Sequence, residues 1–151
     1  MSELTKSEGG GDRTDGRCHA CGCVGPNPGT SILTDEEIIE EMKSLRPVWA
    51  LSEDKKKMSR KFTCRNWQAA MNAIQEISAH AESKDIQHHP DLHLTNYRDL
   101  EIVLWTHAAG GLTKNDFVLA MAIDKVKMDY SPKWLKQNPL VSESELQLNT
   151  L

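Results

Sequence analysis

No apolar run in this 151-residue chain approaches the roughly 20 residues that a membrane span requires. The opening MSELTKSEGGGDRTDG also lacks the apolar stretch of a secretory signal. We therefore expect no membrane partner and a place in the cytoplasm or the nucleus. An excess of positive charge is missing as well. Eighteen basic residues stand against 22 acidic ones, a net charge of −4, so no broad positive surface can hold a phosphate backbone. Direct nucleic-acid binding is not expected. Cysteine is sparse: Cys18, Cys21 and Cys23 crowd into one short stretch and Cys64 stands alone, which is not the spread of a disulfide framework. Reduced thiols follow.

A hydrophobic content of 38% and a charged content of 26% lie near globular norms, and the length suits one domain with tails. Residues 1–30 are rich in Gly, Ser, Thr and Asp, and GPNPGTS at 25–31 is too dense in Pro and Gly for a regular element. They read as a flexible N-terminal tail, followed by a domain over 31–130 and a C-terminal tail over 131–151. That last tail carries Trp134 and Leu135.

Order begins at Thr34, where Thr34 and Glu37 have capping-box spacing and Ile38, Ile39, Met42 and Leu45 recur at helical intervals. The first helix is predicted over 35–45, ending near Pro47. Residues 49–51 and 58–64 then read as two strands of a hairpin, since Met58, Phe62 and Cys64 alternate with Ser59, Lys61 and Thr63. Asn66 can cap a second helix in which Trp67, Ala70, Ile74, Ile77 and Ala81 form one apolar stripe. After SKDIQHHPD the period returns to two. Leu92 and Leu94 oppose His93, Thr95 and Tyr97; Ile102 and Leu104 oppose Glu101, Val103 and Trp105, with a turn near Arg98 and Asp99. A third helix opens at Thr113, with Asp116 at the capping-box position and Leu112 placed to staple against Phe117. Leu119, Ala122, Ile123, Val126 and Tyr130 supply its buried face, and Pro132 discourages continuation. The order αββαββα predicts an α+β fold: a four-stranded antiparallel sheet with three helices packed on one face.

Five of the six histidines lie between 80 and 107, and His88 and His89 sit together before Pro90. Imidazoles titrate near neutral pH, so several converging ones suit proton transfer in both directions. His88 and His89 enter the third strand while His107 leaves its antiparallel neighbour, so their ends meet.

The run HHPDLHLTNYRDLEIVLWTHAAGGLTKNDF, residues 88–117, resembles the pterin-4a-carbinolamine dehydratase family. Lys84, His88, His89, Pro90, Tyr97, His107 and Asp116 fill the family's spaced positions in order, and likeness extends through LTDEEI, the Trp49 strand, KFTCRNWQAAMNAI and SAHAE, about residues 33–130. The charged position, often acidic in the family, is Lys84 here, and the hairpin matches the longer form with HLTN before the aromatic. The resemblance implies dehydration of 4a-hydroxytetrahydropterin to quinonoid dihydropterin, a step of tetrahydrobiopterin recycling. Hydroxide must leave C4a protonated and the N5 hydrogen must depart, so an acid and a base suffice, with no cofactor. It further implies His88, His89 and His107 as catalytic residues, His88 and His107 transferring protons and His89 holding the substrate. Pro90 shapes the pocket wall, and Tyr97, Asp116 and His93 become substrate-binding candidates. A homodimer or homotetramer is implied too.

Plainer readings stand beside these. Asp116 at the third helical position is equally a capping carboxylate. His93 shares a strand face with Tyr97 and either lines the site or faces water. Lys84 at a helix end suits a surface position, and His80 a structural one. No metal is expected: the helical spacing of His89 and His93 falls where the pattern is strand-like, and Cys18, Cys21 and Cys23 lack a second CxxC knuckle. The other functional class is a non-enzymatic oligomeric binding or assembly protein on the same fold, a partner or transcription-factor cofactor.

Overall fold

The structure, a computed structural model, describes residues 31–148. The cysteines at 18, 21 and 23 and the N-terminal tail lie outside the described residues. Helix α1 spans Asp35–Met42, and its start is the capping box read from the sequence: Thr34 accepts from the Glu37 N–H while the Glu37 carboxylate accepts from the Thr34 N–H. Strands β1 (Ala50–Leu51) and β2 (Met58–Thr63) form the first hairpin. Helix α2 (Trp67–Ala81) begins at Asn66, whose side chain accepts from the Ala69 N–H at 2.8 Å. The second hairpin pairs β3 (Asp91–Thr95) with β4 (Asp99–Leu104), and α3 (Lys114–Asp124) follows.

All pairings are antiparallel and the strand order is β1-β2-β4-β3. The hairpins therefore join through β2 and β4, with Met58 opposite Leu104 and Thr63 opposite Asp99. Because side chains alternate along a strand, Met58, Phe62, Leu100, Ile102 and Leu104 all enter the core, where they meet Ala70, Ala73 and Ile77 of α2 and Phe117, Leu119 and Ile123 of α3. The four-stranded antiparallel α+β fold read from the sequence is the one observed.

Several details differ from the expectation: α3 ends at Asp124, so Val126 and Tyr130 are buried beyond it, and Ile39 of α1 is exposed. Trp67 was placed on the apolar stripe of α2, yet 53% of it is exposed. It is the first helical residue, and helical side chains lean toward the N-terminus, so it lies ahead of the packed stripe. The turn between β3 and β4 is Asn96, Tyr97 and Arg98, with Asn96 and Tyr97 both at positive φ, 47° and 54°. Finally, the segment after Tyr130 adds α4 (Pro132–Gln137) and α5 (Pro139–Leu148). Pro132 stops α3 from continuing, but it also occupies the first turn of a new helix, where its fixed φ and missing N–H are harmless.

The additional helices are tied to the core by charge. Arg60, a strand residue with 1% of its side chain exposed, lies 3.4 Å from the Asp124 carboxylate and donates to the Tyr130 hydroxyl at 2.6 Å. Asp124 also accepts from the Trp49 indole at 2.8 Å and the Arg46 N–H at 3.0 Å. Burial pushes its pKa up, against the pull of these donors and Arg60. Glu145 of α5 accepts from the Arg46 guanidinium and the Tyr130 hydroxyl, at 2.9 and 3.0 Å, and Ser144 accepts from Arg46 as well. Trp134 of α4 stacks on Tyr130 at 5.6 Å.

Burial raises Tyr130 to about 12 and the Cys64 thiol, bridged to it by backbone, to about 11. A folded pKa above the unfolded one means that the fold holds its proton more tightly, so this stability is complete below pH 9 and is lost as pH climbs toward 12. For Tyr130 the rise corresponds to roughly 2–3 kcal/mol. Urea denaturation at pH 8, 10 and 11.5 should show stability falling steeply above pH 10. In Tyr130→Phe the protein should start less stable and show a visibly shallower fall.

Candidate active site

The cluster forms where α2 gives way to β3. Helix α2 ends at Ala81, and Gln87 turns the chain with φ 43°, so that the His88 N–H donates back to the Ala81 carbonyl at 3.1 Å. From there the chain runs extended through His88, His89 and Pro90 into β3. Alternation then separates the two neighbouring imidazoles. His88 falls on the core side and has no exposed surface, while 39% of the His89 side chain faces solvent.

His88 is gripped by a buried polar cluster. Its Nε2 lies 2.6 Å from Oδ1 of Asp116, and neither side chain has any exposure. The other carboxylate oxygen accepts from the Thr113 N–H at 2.9 Å and from the Thr106 hydroxyl at 2.8 Å. Thr106 spends its one hydrogen on Asp116, so the Thr113 hydroxyl donates to Thr106, also at 2.8 Å. Asp116 is thus the capping carboxylate of α3 and the partner of His88 at once, which is the capping reading and not the substrate-binding one. With its oxygens taken and buried, it offers no surface to a ligand, and neither does His88.

The outward side of the same hairpin end carries the other imidazoles. His89 Nε2 is hydrogen-bonded to the carboxylate of Glu82, the residue that caps the C-terminus of α2. His107, 30% exposed, follows β4 in a turn that the Thr106 to Gly111 bridge closes. Its Nε2 lies 3.4 Å from Oδ1 of Asp91, the first residue of β3. Trp105 donates from its indole to Oδ2 of Asp91 at 2.9 Å, and its ring lies 4.0 Å from the His107 ring at an interplanar angle of 31°. Lys57 stands 4.2 Å from the centroid of the same indole. Each of the three imidazoles therefore has its own carboxylate.

Other expected positions fall elsewhere. Pro90 is half-buried beside His89, within the cluster. Tyr97 sits in the hairpin turn at the far end of β3, whose rise of about 3.3 Å per residue puts it well over 10 Å from His89. It is 53% exposed and packed by Arg98, so the structure does not bring it to the histidines. His93 is exposed on the outer sheet face opposite Glu101. Lys84 is exposed, and the carboxylate that meets His89 at this helix end is Glu82, two residues earlier. Asp91, Trp105, Thr106 and Glu82 were missed by sequence reasoning. The HHPD run and the Trp-Thr-His run were the available signals, since continuing the ladder sets 89 opposite 105 and 88 opposite 106. Among the described residues, no group of three or more His, Cys, Asp or Glu could hold a metal ion, and no helix is long and apolar enough to cross a membrane.

Known proteins share the sequence pattern and the fold. A family described as Pterin 4 alpha carbinolamine dehydratase matches residues 31–126, which contain all four strands and α1–α3 and leave α4 and α5 outside. Pterin-4-alpha-carbinolamine dehydratase 2, mitochondrial, of Arabidopsis thaliana is 32% identical over 109 residues, 71% of this chain and 57% of that protein. A protein of Legionella pneumophila strain Paris that carries the name of the same dehydratase is 31% identical over 78% of this chain and 97% of its own length. Another, from Chloroflexus aggregans, is 39% identical over 62% and 95%. Among solved structures, that of a transcriptional coactivator/pterin dehydratase from Brucella melitensis superimposes with a TM-score of 0.56 at 23% identity, covering 62% of this chain and 96% of that one. That likeness shows a shared fold.

The buried pair predicts a stability effect separable from chemistry. Removing one partner strands the other in the core, which typically costs about 3–5 kcal/mol. His88→Ala and Asp116→Ala should each lose stability on that scale in urea denaturation. The double variant should be destabilised by clearly less than the sum, because the two losses share one interaction.

Proposed function

The chain belongs to the pterin-4-alpha-carbinolamine dehydratase family, and from that premise we propose that it dehydrates 4a-hydroxytetrahydropterin to quinonoid dihydropterin by histidine acid/base catalysis. On this reading its place is in tetrahydrobiopterin recycling, after aromatic amino-acid hydroxylation. The observation that carries the reading is the pairing of His88, His89 and His107 each with a separate carboxylate at one hairpin end. A carboxylate beside an imidazole stabilises its protonated form and fixes its orientation, which suits a ring that must give and regain a proton.

The reaction removes one hydroxide and one proton. The 4a hydroxyl leaves as water once protonated, and the N5 proton passes to a base. Two rings with exposed surface are available for these transfers, His89 and His107. In our assignment His107 protonates the hydroxyl and His89 receives the N5 proton, with Pro90 beside them as wall. His88, enclosed with Asp116, holds the 88–90 segment in place. This revises the division read from the sequence, which gave His88 the proton transfer and His89 the holding role. Burial of His88 is the reason. Assembly as a homodimer or homotetramer belongs to the same reading, and half-exposed apolar groups such as Trp67, Val118 and Met121 are those an interface would cover.

Stopped-flow dehydration of enzymatically generated 4a-hydroxytetrahydropterin tests the proposal. Turnover should survive chelator treatment, because proton transfer alone is required. His107→Ala and His89→Ala should each lower kcat, by about 10²-fold if each supplies a typical acid or base contribution. Variants of both residues turning over at the parental rate with unchanged KM would reject the site and favour an assembly role.

A further inference from the structure

We propose that Asp91 and Trp105 are positioning residues for His107, setting which of its ring nitrogens meets the substrate; the kinetic consequence rests on the dehydratase reading above. Asp91 begins β3 and Trp105 directly follows β4, and both lie on the outer side of the hairpin. A carboxylate 39% exposed would ordinarily rotate freely into water. Here the Trp105 indole N–H holds Oδ2 at 2.9 Å, which leaves Oδ1 facing Nε2 of His107 at 3.4 Å. The same indole lies against the imidazole with centroids 4.0 Å apart, so one side chain fixes both the ring plane and the carboxylate that addresses its edge. Lys57, 4.2 Å from the indole centroid, adds a cation–π contact that steadies the platform.

The consequence is a defined tautomer. A carboxylate facing Nε2 favours the hydrogen on Nε2, so neutral His107 carries its lone pair on Nδ1. In the charged ring both nitrogens bear hydrogen. The Nε2 hydrogen stays with Asp91, the Nδ1 hydrogen passes to the 4a hydroxyl, the C4a–O bond breaks, and water leaves. What remains is the neutral tautomer that Asp91 favours, so Asp91 holds the protonated ring ready and fixes Nδ1 as the atom that gives the proton.

Two measurements test this. Nitrogen-15 NMR of the histidine-labelled protein should show neutral His107 protonated at Nε2, and Asp91→Ala should shift the signals toward a mixture of tautomers. This arm needs no turnover, so it stands or falls separately from the dehydratase assignment. In the kinetic arm Asp91→Ala should lower kcat about tenfold with KM changed little, the lower range for loss of an orienting partner. Trp105→Phe, which keeps a ring but loses the N–H, should lower kcat by less, and Asp91→Glu should recover part of the loss. In a His107→Ala background Asp91→Ala should cost nothing further, because a positioning residue acts only through the group it positions. A parent His107 protonated at Nδ1 would overturn the proposal. So would an equal loss of kcat from Asp91→Ala with and without His107. Should Asp91→Ala fail to fold, Trp105→Phe and Asp91→Asn carry the same comparison.

Discussion

One buried carboxylate ties the site to the fold. Asp116 accepts from the Thr113 N–H that caps its own helix and from Thr106 just past β4, and meets His88 at the start of the β3 approach. Three segments distant in sequence are thereby fixed against a single side chain. Leaving any of these polar groups unpaired in the core would cost the desolvation of that group, so the arrangement is strongly selected over near alternatives. The position of His107 follows, because it is chained to Thr106. The position of His89 follows as well, because it is chained to His88.

The period of the β-strand then divides the labour. His88 and His89 are adjacent in sequence but point to opposite sides of the sheet, one into the Asp116 cluster and the other toward Glu82 and solvent. A one-residue slip would bury His89 and expose His88, exchanging the two environments. Register is held by the inward set Leu92, Leu94, Leu100, Ile102 and Leu104, which would be driven to the polar face by the same slip. Core packing and site geometry are therefore protected by one constraint.

Much of this was legible in the chain because it is local. The caps at Thr34, Asn66 and Thr113, the alternation of β2, β3 and β4 and the stripe of α2 depend on residues a few positions apart. That His88, His89 and His107 lie at one end of a hairpin was legible too, though not that His88 faces the core and the other two do not. What escaped depends on tertiary pairing. Arg60 reads as a polar strand position, yet it is buried, because Asp124 and Tyr130, more than 60 positions away, neutralise and satisfy it. The helices after Pro132 escaped because a proline that ends one helix is equally suited to begin the next. Tyr97 looked like a site residue by its place in a spaced pattern, but the hairpin turn carries it to the opposite end of the strands.

The contrast in exposure among the three imidazole–carboxylate pairs has its own physical logic. A fully buried pair such as His88 and Asp116 orders its surroundings, but it presents no ring atom to water. An acid that has given up its proton must regain one before the next turnover, and a base must discharge the one it took. The pairs around His89 and His107 are open to solvent, so on the proposed assignment exchange would reset them each cycle. Their carboxylates are correspondingly screened, and each contributes orientation more than binding energy. On that assignment a rigid interior pair behind two open ones would supply placement and recharging from separate groups, which no single degree of burial could provide.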